Sequence, residues 1–244
     1  MKILVCISSV PDTTAKINFK EDNTAFNKDG VAFIIGPYDD YALARAVELK
    51  EASGGSITVL NVGLAEADTQ IRKALAIGAD DAVRIDTEPT DSYFVAEQIT
   101  AYAKDKGFDL IMMGRETSDY NSGVVHGIVG EMLGIPSYSP VMELQIEGGK
   151  AQLTREIEGG KEKLEASLPL VLGCQEPIAE WKIPNMRGIM TARSKPLQVI
   201  SPVGDPLTTV KEYSLPPAKG AVKLIPAEEA EKLIELLKTE AKVL

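Results

Sequence analysis

The residues best placed to do chemistry are small hydroxyls gathered round a glycine: Ser118, Ser122 and Gly123, within DLIMMGRETSDYNSGVVHGIVGEMLG, Asp109–Gly134. An apolar run, Leu110–Met113, precedes them and is short enough for a buried strand. Gly114 and a polar loop, Glu116–Ser122, follow. Val125, Ile128, Val129, Met132 and Leu133 then recur at helical spacing. The order is strand, loop, helix. The chemistry it supports is anion binding, because the first amides of a helix lack intrahelical partners and its dipole favours negative charge there. Gly123 allows close backbone approach, and Ser118 and Ser122 add hydroxyl donors. The same pattern also describes an ordinary strand-to-helix connection without a ligand.

Other chemistries have little support. His126 is the single histidine, and Cys6 and Cys174 are the only cysteines. That excludes a histidine-rich zinc site and argues against a Ser-His-Asp arrangement. Both cysteines sit in apolar, strand-like runs, as inert core thiols do. No disulfide or metal site is expected. The net charge of −10 argues against nucleic acid and anionic membranes as partners. No run is long and apolar enough for a membrane span, and MKILVCISSV lacks the build of a signal peptide, so a cytoplasmic location is expected.

The elements that must position the loop alternate along the chain. Lys2–Ile7 reads as a buried parallel strand that runs into Ser8, Ser9 and Pro11. Ile17–Phe19 and Val31–Ile35 flank Asp22–Gly30 and predict a β-ribbon. Asp40–Ala52 reads as a helix capped by Asp39 or Asp40. Ser53-Gly54-Gly55-Ser56 has the look of a phosphate loop, but it follows a helix and precedes a strand, so it is a helix stop. Ile57–Val62 and Ala82–Ile85 read as strands, and Ala65–Ile77 and Ser92–Lys106 as helices ending at Gly78 and Gly107. This alternation predicts an α/β fold with a parallel sheet. The segments after Ile7, Ile35, Val62 and Met113 should then face one crevice at the strand ends.

After Pro140 the texture changes. Met142–Ile146, Gln152–Ile157, Lys163–Ala166 and Leu170–Cys174 are short strands punctuated by Gly148-Gly149 and Gly159-Gly160, which predicts an appended antiparallel β portion. Glu176–Leu197 breaks the rules of a core element. It holds the only Trp, three prolines and the basic residues Lys182, Arg187, Arg193 and Lys195. Trp, Met and Arg together are typical of interfaces, and Pro184 prevents one continuous helix. The other reading is a helix with Trp181 and Met190 turned inward. Ser201–Ala221 reads as an extended arm, and Pro226–Leu237 as an amphipathic helix that docks on a partner or folds back.

Six segments carry a resemblance: Val5–Asp12 (VCISSVPD), Asp29–Ala44 (DGVAFIIGPYDDYALA), Arg72–Asp80 (RKALAIGAD), Gly114–Gly130, Thr154–Pro169 (TREIEGGKEKLEASLP) and Ile183–Pro196 (IPNMRGIMTARSKP). In order and content the chain resembles the beta subunit of electron transfer flavoproteins. The REIEGG and GIMTARSKP segments are far more specific than any glycine loop. The resemblance implies a nucleotide-binding α/β unit over residues 1–200, with its β extension and recognition loop. It implies that residues 201–244 form an arm that wraps an alpha subunit. No catalytic residue is implied. The alpha subunit would hold the redox FAD, and this chain AMP, or a second FAD in the electron-bifurcating type. The partners would be the alpha subunit, flavin-dependent dehydrogenases and an acceptor such as a quinone oxidoreductase.

Carried over position by position, the resemblance implies a nucleotide pocket at Cys6, Gly36, Pro37, Tyr38, Asp39 and Val62. To these it adds the loop Gly114, Arg115, Glu116, Thr117, Ser118, Asp119, Tyr120, Asn121, Ser122, Gly123, Val124 and Val125. It implies a partner-binding segment at Trp181, Ile183, Pro184, Met186 and Arg187, with isoleucine where the family usually has leucine. The family often has a basic residue at Ser8, Asn at Gly36, Gln at Val124 and Gly at His126. Without the Gln, more of the binding falls on backbone amides. His126 either adds a phosphate contact or is a partly exposed helix residue. Two other functions fit parts of the chain. A stand-alone nucleotide-binding domain accounts only for residues up to Gly134. A nucleotide hydrolase or ligase needs a glycine-rich loop after the first strand, which Cys6–Val10 lacks.

Overall fold

Lys2–Cys6 (β1) is the strand from which the sheet grows, and Ile3, Leu4 and Val5 are buried on both of its faces. The computed structural model describes residues 1–244. The chain continues through β2 (Ser9–Pro11), β3 (Phe33–Ile35), α1 (Pro37–Ser53), β4 (Ser56–Val62), α2 (Asp68–Ile77) and β5 (Asp81–Ile85). Then come α3 (Ser92–Ala103), β6 (Leu110–Gly114), α4 (Val125–Leu133), β7 (Ser137–Glu147), β8 (Lys150–Ile157), β9 (Gly160–Ser167) and β10 (Leu170–Cys174). The last elements are α5 (Met186–Ala192), β11 (Leu197–Ile200) and α6 (Ala230–Thr239).

One nine-stranded sheet runs in the order β11-β5-β4-β1-β6-β10-β7-β8-β9. Every pair from β11 to β7 is parallel, and β8 and β9 add antiparallel strands at one edge. Helices cover both faces, as a parallel sheet requires. Ile3, Val5, Val59, Leu43, Ile71 and Leu75 pack on the α1 and α2 side. Leu4, Leu60, Ile99, Ile111 and Val129 pack on the α3 and α4 side. From β1 the chain first builds outward through β4 and β5, then returns with β6 to the other side of β1. The order therefore switches between β1 and β6, and ligands collect at such a point, beyond the carboxyl ends of the strands.

The α/β class agrees with the expectation, and several details differ. The stretch Leu170–Cys174 is not antiparallel. It inserts between β6 and β7 and pairs in parallel with both, Leu170 opposite Leu110 and Cys174 opposite Gly114. All its residues are buried, so it has no solvated face to offer an edge position. The ribbon exists, but β3 pairs with Ser9–Pro11, where Val10 is buried; the exposed Ile17 lies outside any strand, and only Phe19 and Phe26 bridge there. Finally, α1 starts at Pro37 with Gly36 as its cap residue, and neither Asp39 nor Asp40 caps it by side chain. Pro suits the first helical position, and Asp39 is turned inward for another purpose.

Residues after Ile200 carry no sheet strand until α6, which buries none of its residues and leaves Leu233 and Ile234 exposed. No helix is long and apolar enough to cross a membrane.

Candidate functional site

Asp39 gathers three chain segments at the switch point. Its Oδ2 accepts the Ser8 amide at 2.8 Å and the Ser8 hydroxyl at 2.6 Å, and its Oδ1 accepts the Gly114 amide at 2.7 Å. The ends of β1 and β6 are thereby tied to the first turn of α1. Burial pushes the Asp39 carboxyl up to about 6, and the hydrogen bonds from Ser8 and Gly114 oppose that rise. Gly114 is needed here: a Cβ would lie 2.7 Å from both Asp39 Oδ1 and Tyr38 Cβ. Gly36 is equally confined, against the Asp39 carboxylate and the Ser8 hydroxyl.

Beyond these strand ends lies a cavity of about 330 Å³. Its inner walls are apolar, with Leu60 and Val62 from β4, Val95 and Ile99 from α3, Met113 from β6 and Val125 from α4. Its rim is rich in hydroxyls, from Ser8, Ser9, Thr90, Ser92, Thr117 and Ser122. Asp39, Asp91, Glu116 and Asp119 are the charged residues lining it; no Lys, Arg or His does. The α4 helix starts at the cavity with no side-chain cap, so the amides of its first turn remain available to an anion.

Of the residues implied by the resemblance, Cys6, Asp39, Val62, Gly114, Glu116, Thr117, Asp119, Tyr120, Ser122 and Val125 line this cavity. Gly36, Pro37 and Tyr38 do not; they form the turn behind Ser8 and Gly114. Arg115 does not line it either. Its guanidinium lies 4.9 Å from the centre of the Tyr38 ring and donates to Gln175 Oε1 at 2.8 Å and Glu116 Oε1 at 2.9 Å. Ser118, Asn121, Gly123 and the exposed Val124 fall outside the lining. His126 packs toward β7 and β10, with Nδ1 3.5 Å from the Ser137 hydroxyl and its ring against Gly173. Burial lowers its pKa, opposed by a hydrogen bond with the Gly123 backbone.

The sequence reading missed one wall. Pro89, Thr90, Asp91 and Ser92, after β5, complete the cavity. The alternation of strands and helices already put this turn at a carboxyl strand end, and the Asp91-Ser92 helix start marked it. It contains no glycine to mark it as a ligand loop. The thiols of Cys6 and Cys174 are fully buried and pushed well above the usual thiol range, by burial first and by the Asp39 charge second. They contribute bulk, not reactivity.

At the other candidate surface, Trp181 (55% exposed), Ile183 (75%), Met186 (74%) and Met190 (71%) all stand in solvent. The alternative of Trp181 and Met190 turned inward is thus excluded: the inner face of α5 is made of Gly188 and Ala192, whose small size lets it lie against α2.

Comparison with known proteins agrees with this architecture. Residues 24–203 match the family described as electron transfer flavoprotein domain. The chain is similar to the electron transfer flavoprotein subunit beta of Bacillus subtilis, at 38% identity with all of both chains covered. It is similar to the protein of the same name from Syntrophomonas wolfei, at 36% identity over all of this chain and 98% of the relative. It also resembles, at 29% identity over 97% of each chain, the acryloyl-CoA reductase electron transfer subunit gamma of Anaerotignum propionicum. With the sheet, the strand-end cleft and full-length relatives in agreement, the chain belongs to the electron transfer flavoprotein beta-subunit family.

Proposed function

We propose that this chain is the beta half of a heterodimeric electron transfer flavoprotein, and that it holds AMP in the cleft between β1 and β6. The alpha subunit would carry the redox FAD, which supplies the electron-accepting and electron-donating chemistry. The assembly would carry electrons from flavin-dependent dehydrogenases to an acceptor such as a quinone oxidoreductase. No residue of this chain is required to act as a catalyst.

The observation that carries the reading is the size and lining of the cleft. About 330 Å³ is at the small end of ligand sites, which suits a mononucleotide better than a dinucleotide. Its apolar walls suit the faces of an adenine ring. The hydroxyls and the uncapped α4 amides suit a ribose and a phosphate. With no basic side chain in the lining, the phosphate is held by backbone dipoles, and Asp39 acts indirectly by fixing Ser8 and Gly114.

A second reading is that the cleft holds FAD in an electron-bifurcating assembly. It is the alternative that the family resemblance leaves open for this subunit. The test is to denature the purified heterodimer and separate the released nucleotides. AMP and FAD in equal amounts support the first reading. Two FAD and no AMP support the second, and neither nucleotide beyond one FAD rejects both.

A further inference from the structure

The arm is fastened to the body of the protein at places that include the walls of the cleft. Near its start, Gln98 of α3 pairs with Val203 as a peptide group would: Oε1 accepts the Val203 amide at 2.8 Å and Nε2 donates to its carbonyl at 2.7 Å. Asp91 comes next. One oxygen caps α3 by accepting the Phe94 amide at 2.8 Å, and the other accepts the amides of Leu207 at 2.8 Å and Thr208 at 2.9 Å. Further along, the Tyr213 ring stacks on Phe19, with centroids 4.9 Å apart and planes 17° apart. The Tyr213 amide donates to the Asn23 carbonyl at 2.8 Å, and its hydroxyl shares a 3.1 Å hydrogen bond with the Tyr120 hydroxyl.

Asp91 and Tyr120 both line the cavity, and they come from two different loops, one after β5 and one after β6. The segment from Leu207 to Tyr213 therefore joins two rims of the cleft. An exposed segment without regular structure stays ordered only where contacts offset its chain entropy. Here two of those contacts, at Asp91 and Tyr120, fall on cavity-lining residues. Moving the loops apart therefore pulls on the segment that holds both the Asp91 join and the Tyr120 join.

We infer that the segment Leu207–Tyr213 is part of the nucleotide site, a strap across its rims that sets how fast the nucleotide leaves. Tyr213 and Phe19 are then determinants of nucleotide retention although neither lines the cavity. The inference rests on the reading of the cleft as an adenine-nucleotide site.

The test uses the intact heterodimer loaded with radiolabelled AMP and chased with unlabelled AMP. Tyr213→Ala removes both the stacking and the hydroxyl contact, and release is expected to quicken about tenfold. Tyr213→Phe keeps the stacking and should quicken release about threefold. Phe19→Leu should fall between them. Flavin content and subunit ratio check that each complex is whole. If Tyr213→Ala fails to assemble, Tyr213→Phe and Phe19→Leu decide. Release at the wild-type rate in these variants overturns the strap while leaving the site reading intact. A wild-type complex that neither holds nor takes up AMP or FAD in this cleft overturns both. One that holds FAD there decides the strap by the same chase with FAD.

Discussion

Arg72 and Lys195 tie the C-terminal ends of α2 and α5 to each other. Arg72, on α2, donates to the carbonyls of Ala192 at 2.8 Å and Lys195 at 2.7 Å, closing the end of α5. Lys195 Nζ donates back to the carbonyls of Leu75 at 2.8 Å and Ala79 at 2.5 Å, at the end of α2. Gly188 lies so close to the Ala76 carbonyl that a Cβ has no room. The GIMTARSKP segment is thus a mount: its small residues and its lysine face α2, and Met190, with Met186 just ahead of the segment, faces outward.

Lys195→Met and Arg72→Met each leave carbonyls at a helix end without their cation. Each is expected to destabilise the protein by about 1–3 kcal/mol. Because the two residues serve one joint, the double variant should lose measurably less than the sum of the single losses. Urea denaturation of the four proteins checks this. Strict additivity would show that α2 and α5 are held together by other contacts.

Asp39 predicts a pH dependence with a definite sign. Its folded-state pKa of about 6 lies above the ordinary carboxylate value because the group is buried. The folded protein therefore binds this proton more tightly than the unfolded chain. The contribution of Asp39 to stability is full below about pH 4 and is lost as pH rises through about 6. Asp39→Asn abolishes this titration and turns a donor toward Ser8 or Gly114, costing on the order of 1–3 kcal/mol. The deficit relative to wild type should be larger near about pH 4.5 than near about pH 7. Denaturation curves across that range are the measurement, and a deficit that grows toward neutral pH would contradict the assignment.

Gly114 and Gly123 flank the same loop yet should respond oppositely to substitution. A Cβ at Gly114 meets Asp39 and Tyr38 at 2.7 Å, so Gly114→Ala forces α1 and β6 apart and should cost about 1–3 kcal/mol. At Gly123 the nearest atom is 3.6 Å away, so Gly123→Ala should melt as wild type does. Gly123→Leu should still fold and should lower nucleotide content by obstructing the approach to the α4 amides, its melting temperature falling only by what the lost ligand contributed. Retained nucleotide in Gly123→Leu would place the ligand elsewhere along the loop.

Ile183, three-quarters exposed before Pro184, has no packing role in this chain. Exposed apolar anchors are a solubility liability that partner binding explains. Ile183→Ala should weaken docking to the electron-transfer partner by about 1–3 kcal/mol, read as a rise in the partner concentration needed for half-maximal rate. Its melting temperature should stay within a degree or so of wild type. Unchanged docking would remove Ile183 from the interface.

Much of this architecture was legible in the sequence because it depends on local apolar pattern. The runs Lys2–Ile7, Ile57–Val62 and Leu110–Met113 are buried on both faces, and their alternation with amphipathic helices marks them as parallel strands. Their order put the crevice at the strand ends without any contact being known. Leu170–Cys174 was misplaced because burial alone does not say which neighbours a strand has. Its partners are chosen by the packing of β6 and β7, far away in sequence. Asp39 was assigned to the helix cap because position and residue type fit that role. The stronger demand came from Ser8 and Gly114, amides at two strand ends that only a buried acceptor can satisfy. Arg115 was placed in the nucleotide loop by the resemblance alone; in the structure Tyr38, Gln175 and Glu116 hold its guanidinium.

The place of β10 has a consequence for biogenesis. When residues 1–134 have left the ribosome, β1, β4, β5 and β6 are all present, yet the outer edge of β6 has no neighbour. Its partner, Leu170–Cys174, is made only after the whole of β7, β8 and β9. The Arg115 amide, which ends on the Cys174 carbonyl at 2.9 Å, waits for the same event. A nascent chain paused in this interval displays the apolar edge Leu110–Met113, an open template for pairing with another chain. The β6 edge is therefore closed by a strand that the chain supplies only after the β7–β9 meander is complete.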